Sequence, residues 1–389
     1  MPRVVLVSTY PPTHCGVAEY TRFLVTSLRS LPYRKLEIKV IGDEGSMSGT
    51  DSEAGVEIIP TFRVGCADSL SRVIDVLTEI DGTDILHIQH EYDIYTLSHA
   101  LESVLEEVRD ERLAKVVVIT LHTVYTPVRG LESRVEIQRG LIEQVDAVIV
   151  HSIQQEFELY TQGVPPRKVY RIPHGTLINP YLHYSRRFLS EKLGIPFERL
   201  RGIVLTVPGF VRKDKGLDIL IQALSKLKDL KLTVVVAGEV RDREVKKHIE
   251  EATREGKMIM IERYLSNDEL LMLVALSDAI VLPYRDAPGI LSVSGILHIS
   301  MGSLKPLLGS RVPRLVELYQ NAPRLTFRPE EPEELAQKIR WLVKNYDYTI
   351  AYASALYSYA VRTQWLRMAR RHLSLYLELV KDKVEGKQA

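Results

Sequence analysis

Three cations fall close together in the stretch V-L-T-V-P-G-F-V-R-K-D-K-G-L-D-I-L-I-Q-A-L, residues 204–224: Arg212, Lys213 and Lys215. They follow a short, mostly β-branched run (203–207) that Pro208 and Gly209 end. They precede a run in which Leu217, Leu220, Ile221 and Leu224 share one helical face. Cations at a strand-to-helix turn, beside free backbone N–H groups and the positive end of the helix dipole, suit an anion, phosphate above all. A solvated basic turn in an ordinary βαβ unit would carry the same residues. A second turn, S-T-Y-P-P-T-H-C-G-V-A-E-Y-T at residues 8–21, follows the first apolar run. Pro11 and Pro12 stiffen it, and Gly16 leaves room for a ligand to reach the backbone where a helix begins. His14 by itself reads as a surface residue.

The elements that must hold these turns alternate along the chain. In the first half the strand candidates are 4–8, 36–41, 56–59, 85–88, 116–121, 147–150 and 169–172. Helical patterns cover 18–28, 70–77, 95–108 and 131–144. Residues 181–200 are mixed and strand-poor, and the pattern then restarts. Strands are predicted at 203–207, 232–237, 258–261, 279–282 and 306–308, and helices at 217–228, 243–255, 268–275, 294–301, 312–318 and 333–344. Such alternation argues for parallel sheets covered on both faces, with active residues at the carboxyl ends of strands. Residues 348–380 read as one helical stretch with Trp365, Met368, Ala369, Leu373 and Tyr376 on one stripe and Arg367, Arg370 and Arg371 off it. No strand follows, so this stretch must pack on something already built. Two doubly wound domains leave a cleft, a common place for a ligand.

The totals narrow the function. At 389 residues two domains are expected. A composition 45% hydrophobic and 26% charged is that of a soluble globular protein, and a formal charge of +1 gives no reason to expect nucleic acid. Cys15 and Cys66 are the only cysteines, which excludes a Cys-rich metal site and argues against a disulfide framework. The N-terminal apolar run is short for a signal peptide and no run approaches a membrane span, so a cytoplasmic protein is expected. Asparagine occurs only at Asn179, Asn267, Asn321 and Asn345, a weak thermophile signature. Neither half carries G-x-G-x-x-G, and no G-x-x-x-x-G-K-[ST] is present, so hydride transfer and P-loop hydrolysis lose ground.

Several short motifs share an order. P-P-x-x-C-G-V-A-x-Y-T at 11–21 resembles a branch of the family 4 retaining glycosyltransferases, which have the GT-B fold. H-I-Q-H-E-Y at 87–92, T-L-H-T at 120–123, I-P-H-G-T at 172–176 and G-F-V-R-K-D-K-G-L-D at 209–218 are similar to the same branch. The correspondence continues through Y-L-S-N-D-E-L-L at 264–271 to S-G-I-L…K-P at 294–306 and the closing T-Q-W-L-R-M-A-R-R-H-L. The resemblance implies two Rossmann-like domains facing a cleft. The first, at 1–185, would bind the acceptor, and the second, at 195–350, the nucleotide sugar. A C-terminal helix, about 360–382, would cross back to the first domain.

The resemblance also assigns roles. Lys215 and Arg212 would neutralise the donor diphosphate as the glycosidic bond breaks, which is where fixed cations help a transition state most. Gly16 and Gly209 would offer the diphosphate their backbone. His122 would sit near the donor sugar, Glu239 would face the nucleotide, and Tyr264 and Leu265 would lie along its base. His90 and Glu91 would hold the acceptor or take its proton, with His174 nearby. The sequence departs from the family at two glutamates spaced eight apart: counting back from Lys305, those positions hold Leu291 and Ile299. Ser292, Ser294 and Gly295 would then meet sugar or phosphate, and His298 the ribose. The family arginine after the glycine is also displaced: Phe210 stands there, and Arg212 is the nearest substitute.

The implied activity is retaining transfer of a hexose, mannose from GDP-mannose before glucose from UDP-glucose, to a hydroxyl of a sugar, glycan or lipid-linked acceptor. No D-x-D is present to hold a divalent ion, so neither metal nor cofactor is expected. The alternatives are a nucleotide- or glycan-binding protein that has lost transfer, and a sugar-nucleotide epimerase on the same fold. A phosphorylase is disfavoured, because no lysine can be pointed to for pyridoxal. If the acceptor is a lipid, Arg186, Arg187 and Lys192 are placed to meet headgroups at the inner face of the membrane.

Overall fold

The computed structural model describes residues 2–32, 36–256 and 258–386. It divides into two compact units. Unit 1 comprises Met1–Gly175, Gly289–Val293 and Trp365–Ala389, and unit 2 comprises Thr176–Pro288 and Ser294–Gln364.

Unit 1 is built on strands β1 (Arg3–Val7), β2 (Glu37–Asp43), β3 (Gly49–Asp51), β4 (Val56–Phe62), β5 (Thr83–His90), β6 (Ala114–Leu121), β7 (Thr123–Tyr125), β8 (Ala147–Val150) and β9 (Val169–Arg171). Eight of them form one sheet in the order β3-β4-β2-β1-β5-β6-β8-β9, parallel except for the β3–β4 pair. The runs V-V-L-V, V-V-V-I-T-L and A-V-I-V are buried throughout because helices cover both faces. Strand β5 runs two residues past the apolar stretch: Gln89 and His90 are buried and stay paired, opposite Thr120 and Leu121.

Unit 2 repeats the plan with β10 (Ile203–Pro208), β11 (Leu232–Ala237), β12 (Met258–Ile261) and β13 (Ala279–Leu282). Strand β14 (Ile290–Ser292) lies in the segment assigned to unit 1, and β15 (Leu307–Ser310) and β16 (Thr326–Phe327) complete unit 2. The unit 2 sheet is parallel, in the order β12-β11-β10-β13-β15-β16. Helices Leu217–Ser225, Arg243–Arg254 and Asn267–Leu276 follow β10, β11 and β12. Ser266 and Glu269 form a capping box at the start of the last of these.

Two expectations need correction, and two features were not expected. The helix expected at 95–108 is two helices, Tyr92–Tyr95 and Ala100–Asp110, broken where Thr96 adopts a left-handed φ of 70°. The helical stretch expected at 348–380 is also two, Tyr346–Arg362 and Trp365–Val384. It breaks because the Thr363 carbonyl accepts the Thr176 N–H at 2.9 Å and Gln364 bridges Thr176, so these backbone groups serve unit 2 instead of the helix. The strand-poor stretch at 181–200 holds a helix, Arg186–Leu193, capped by Ser185. Finally, β7 and β14 pair antiparallel, with Ile290 opposite Tyr125 and Ser292 opposite Thr123. Each has three residues and they lie far apart in sequence, so neither carries a period to read.

The stripe expected on the last helix is buried: Trp365, Met368, Ala369, Leu373 and Tyr376 all face the interior of unit 1. Trp365 stacks on Phe23 and meets Tyr20 edge-on. A Cβ on Gly175 would lie 2.1 Å from the Trp365 ring, so only glycine fits beneath the indole. Replacing Gly175→Ala should therefore destabilise unit 1 by about 1–3 kcal/mol through overpacking. Thermal melting followed by Trp365 fluorescence, in a Trp341→Phe background, reads this; an unchanged melting temperature would show that the indole does not rest there.

Candidate functional site

In unit 2 the chain winds both ways from β10, with β11 on one side and β13 on the other, so the carboxyl ends of β10 and β13 flank the switch point where ligands of such sheets bind. Three loops meet there backbone to backbone. A Cβ on Gly216 (φ +63°) would lie 1.9 Å from the Pro283 carbonyl oxygen, and one on Gly238 would lie 2.0 Å from that of Gly209. Gly209 itself (φ +98°) rests against Ile296. Glycine here is the condition for the loops after β10, β11 and β13 to touch.

A single 3-10 turn, Lys213–Lys215, carries the cations from β10 to the helix Leu217–Ser225. Its geometry corrects the expectation of an exposed basic turn. Lys215 is only 8% exposed, and its Nζ sits 3.8 Å from the centre of the Tyr284 ring, just beyond β13. No carboxylate among the described residues forms an ion pair with it. Burial pushes its pKa below the usual lysine value, opposed by Tyr284, while Arg314 adds to the fall and Asp214 opposes it. A desolvated ammonium on an aromatic face gains from any anion that approaches.

Arg212 differs. Its Nε and Nη2 donate to the two carboxylate oxygens of Asp214 at 3.0 and 2.9 Å, and Arg314 Nη1 donates to the same carboxylate at 2.6 Å. Burial raises the Asp214 pKa, but Lys215, Arg212 and Arg314 together hold it below the usual carboxylate range. Arg212 is thus committed within the loop, and Asp214 ties two arginines to it. The Arg285 N–H donates to the Asp214 carbonyl at 2.9 Å, joining the loop after β13 to the same hub.

The other positions expected at the donor separate. Ser294 caps the helix Gly295–Ser300, accepting the Leu297 N–H, and lies 3.3 Å from the Tyr284 hydroxyl. It stands at the site with Gly295. Ser292, by contrast, belongs to β14 in unit 1. His298 is fully buried: its Nδ1 lies 3.3 Å from Thr176 Oγ1 and its Nε2 3.5 Å from Glu317 Oε1, so it faces the interior of unit 2 and not a ribose. Glu239 pairs with Arg241, whose guanidinium lies 3.7 Å over the Phe210 ring. The Phe210 ring lies 5.9 Å from that of Tyr264, whereas Leu265 is buried. Leu291 and Ile299, at the expected carboxylate positions, pack on apolar clusters of unit 1 and unit 2 respectively.

In unit 1 the polar residues gather at the carboxyl ends of β5, β6 and β8. His122 Nε2 is 3.0 Å from Gln89 Oε1, and His87 lies between Thr120 Oγ1 (2.8 Å) and the Tyr376 hydroxyl (2.6 Å). Tyr20 stands among His122, His151, His174 and Trp365, with ring centres 4.7–5.2 Å away. His90 stacks on Tyr95 with its Nδ1 unpaired, and burial pushes its pKa down to about 3. It is neither exposed to an acceptor nor basic enough to take a proton. Glu91 is partly exposed and its carboxylate is engaged, accepting the Tyr92 N–H at 3.0 Å and the Thr123 hydroxyl at 2.8 Å. His174 is partly exposed, with Nδ1 2.7 Å from the Gly175 carbonyl. Gly16 opens the helix Gly16–Arg29 and is exposed, and a Cβ there would meet nothing within 4 Å. Its lack of a side chain serves no packing need.

Of the cations expected to face headgroups, Arg186 is tied to Asp278 at 2.6 Å, while Arg187 and Lys192 lie over the Phe197 and Phe188 rings. Among the described residues no helix is long and apolar enough to cross a membrane, and no three His, Cys, Asp or Glu side chains are placed to hold a metal.

Residues 16–176 match the Glycosyltransferase Family 4 domain, and residues 201–345 match the Glycosyl transferases group 1 domain. Together the two matches take in well over half of the chain. The chain is a family 4-like glycosyltransferase of the GT-B fold. Solved structures agree on that fold. Anabaena HepE in complex with UDP-glucose is similar at TM-score 0.73 and 16% identity, over 97% of this chain and 100% of that one. A glycosyltransferase from Rickettsia africae gives 0.70 and 16%, over 98% and 99%. The catalytic domain of Arabidopsis thaliana starch synthase IV bound to ADP and acarbose gives 0.69 and 13%, over 98% and 99%. No curated protein matches the sequence.

Sequence reading missed Tyr284, Arg285 and Arg314. L-P-Y-R-D directly follows a strand, so the carboxyl-end rule pointed to the first two; Arg314 had no such signal. It also missed Tyr20 as the centre of the imidazole cluster.

The buried imidazoles of this glycosyltransferase couple stability to pH. Burial holds His90 at about 3 and His372 at about 4, and pushes His87 and His122 well below the ordinary value of 6.5. The unfolded chain therefore binds protons that the folded one refuses as pH falls below about 6.5, and folded-state stability is lost in that direction. Each such group contributes a slope of up to about 1.4 kcal/mol per pH unit. Denaturant melts from pH 7.5 to 4.5, read at Trp365, should show unit 1 weakening steadily; flat stability over that range would mean the imidazoles are not neutral in the fold.

Proposed function

We propose that this protein transfers a hexose, with retention of anomeric configuration, from a nucleoside-diphosphate sugar to a hydroxyl acceptor. The observation that carries the reading is Lys215, a buried lysine with no ion pair among the described residues, held on Tyr284 at the switch point of the unit 2 sheet. Charge builds on the diphosphate as the glycosidic bond breaks, and a fixed, poorly solvated cation stabilises that charge more than the ground state. The N–H groups at the start of the helix Leu217–Ser225 add their dipole. Ser294 and Gly295 offer a hydroxyl and an N–H, and Phe210 and Tyr264 an aromatic face for the nucleotide base.

Attack from the face that the leaving group departs, with the acceptor proton passing to a phosphate oxygen, needs no protein nucleophile. That suits a site in which Asp214, next to Lys215, is bound by two arginines. His122, partly exposed, offers an uncharged hydrogen-bonding group for a hydroxyl. The motif similarity favours GDP-mannose, while HepE was solved with UDP-glucose, so both are to be offered. A second reading, binding without transfer, is favoured by the apolar residues Leu291 and Ile299 at the expected carboxylate positions.

Incubation with each nucleotide sugar, with and without acceptors, separates the two. Nucleoside diphosphate release that depends on an acceptor is expected; tight binding with no turnover under any acceptor would establish the second reading. Lys215→Ala should cut kcat/KM by about 10²-fold or more and leave the melting temperature unchanged or higher, since it removes a desolvated charge. Near-normal kcat/KM in that variant would overturn the assignment of the turn. Gly16→Val adds a side chain into open space. It should leave stability unchanged while raising KM for the donor, and an unaltered KM would remove Gly16 from donor binding.

A further inference from the structure

An open basin of about 770 Å³ lies in unit 1 beside the residues that precede β6, β8 and β9. Because these strands are parallel, this is the sheet edge opposite the one that carries His90 and His122. Seven cationic side chains line it against two carboxylates, in a chain whose formal charge is only +1.

The pairing inside the basin is unequal. Lys383 takes the Asp146 carboxylate at 2.7 Å, and Lys115 pairs with Asp84 at 2.7 Å. Arg109 has only a neutral partner, the Gln144 amide oxygen at 2.8 Å, and Lys168 only the Glu143 carbonyl at 3.5 Å. Arg112, Arg139 and Arg167 form no side-chain hydrogen bond or ion pair among the described residues, and all three are exposed. Among the described residues five cations therefore stand together without an ion pair.

Cations gather at helix C-termini to complement the dipole, and the helices Ala100–Asp110 and Glu132–Gln144 both end here. Each supplies only roughly half a negative charge, so two helices leave most of the positive charge unmatched. Burial pushes the Lys168 pKa below its usual value, and Arg109 and Arg167 add to the fall against Asp146 and Glu143. Arg112 adopts a left-handed φ of 56° just past the first helix, where glycine or asparagine would be cheaper. Val117, Ile142 and Val145 form a buried apolar floor, which concentrates the field of the rim.

We propose that this basin binds a small, multiply charged phosphate anion through Arg112, Arg139 and Arg167, with Arg109 and Lys168 behind them. Phosphate oxygens accept the forked donors of several arginines at once, and a volume of this size admits a diphosphate with an organic group on it. The same chemistry is offered by a free phosphorylated metabolite and by an anionic lipid headgroup.

The test uses inorganic pyrophosphate titrated calorimetrically into the full chain carrying Lys215→Ala, so that the proposed donor turn does not contribute. Chloride at matched ionic strength serves as the control. The triple variant Arg112→Ala/Arg139→Ala/Arg167→Ala, in the same background, should bind pyrophosphate about tenfold or more weakly with an unchanged melting temperature. In a parallel arm, wild-type protein and triple variant are sedimented with phosphatidylglycerol and with phosphatidylcholine vesicles. Pyrophosphate binding lost in the triple variant supports a free anion. Binding only to phosphatidylglycerol, lost in the same variant, supports the headgroup. Binding in neither arm, binding that survives the triple variant, or an effect reproduced by chloride overturns the proposal.

Discussion

Lys215 is held out of water against the Tyr284 ring, and the upper edge of unit 2 is arranged around that contact. A buried ammonium without a carboxylate is costly, and the fold keeps it by fixing everything nearby. Gly216 lets the turn close onto the Pro283 carbonyl, which brings the loop after β10 onto the loop after β13. Asp214 does not neutralise Lys215 in an ion pair; it is bound by Arg212 and Arg314 and acts as the peg that holds the turn. The cation is therefore preorganised, and a phosphate arriving there meets a group that need not be reoriented.

Unit 1 has the same architecture and a different chemistry. Where unit 2 buries the Lys215 ammonium, strands β5 and β6 and the residue just beyond β6 hold the neutral imidazoles of His87, His90 and His122. Burial removes their capacity to titrate near neutral pH, and what remains is a set of oriented donors and acceptors. Such groups suit the uncharged hydroxyls that the proposed transfer needs as acceptor. The positive charge of this unit lies instead at the opposite sheet edge, in the arginine-lined basin, where the chemistry of the proposed transfer has no use for it.

The two positions expected to carry glutamates show what replaced them. Leu291 contributes an apolar side chain to unit 1, and its carbonyl accepts the Gln155 amide at 3.2 Å. Ile299 packs against the buried cluster of unit 2 that contains Ile195 and Leu276. At both positions the side chain serves packing within the chain. In the proposed transfer the donor would be held by Lys215, the Ser294 hydroxyl and backbone N–H groups instead.

Much of the fold was legible because parallel, doubly covered strands leave near-continuous apolar runs, and four strands of unit 2 fall within a residue of their expected limits. The turns that carry the cations and Gly16 were legible as strand-to-helix junctions for a related reason: Pro and Gly after an apolar run mark where a strand ends. Short or long-range features were not. β7 and β14 have three residues each, and the break at Thr363 depends on a backbone bond to Thr176 far away in the chain. The sequence by itself determined most of the long strands and helices and which residues are charged. Only the tertiary structure decided that Lys215 is buried while Arg212 is spent on Asp214, and that His298 turns inward to Glu317. The reason is physical: a charge takes its role from what surrounds it, and those surroundings come from segments that no local pattern connects.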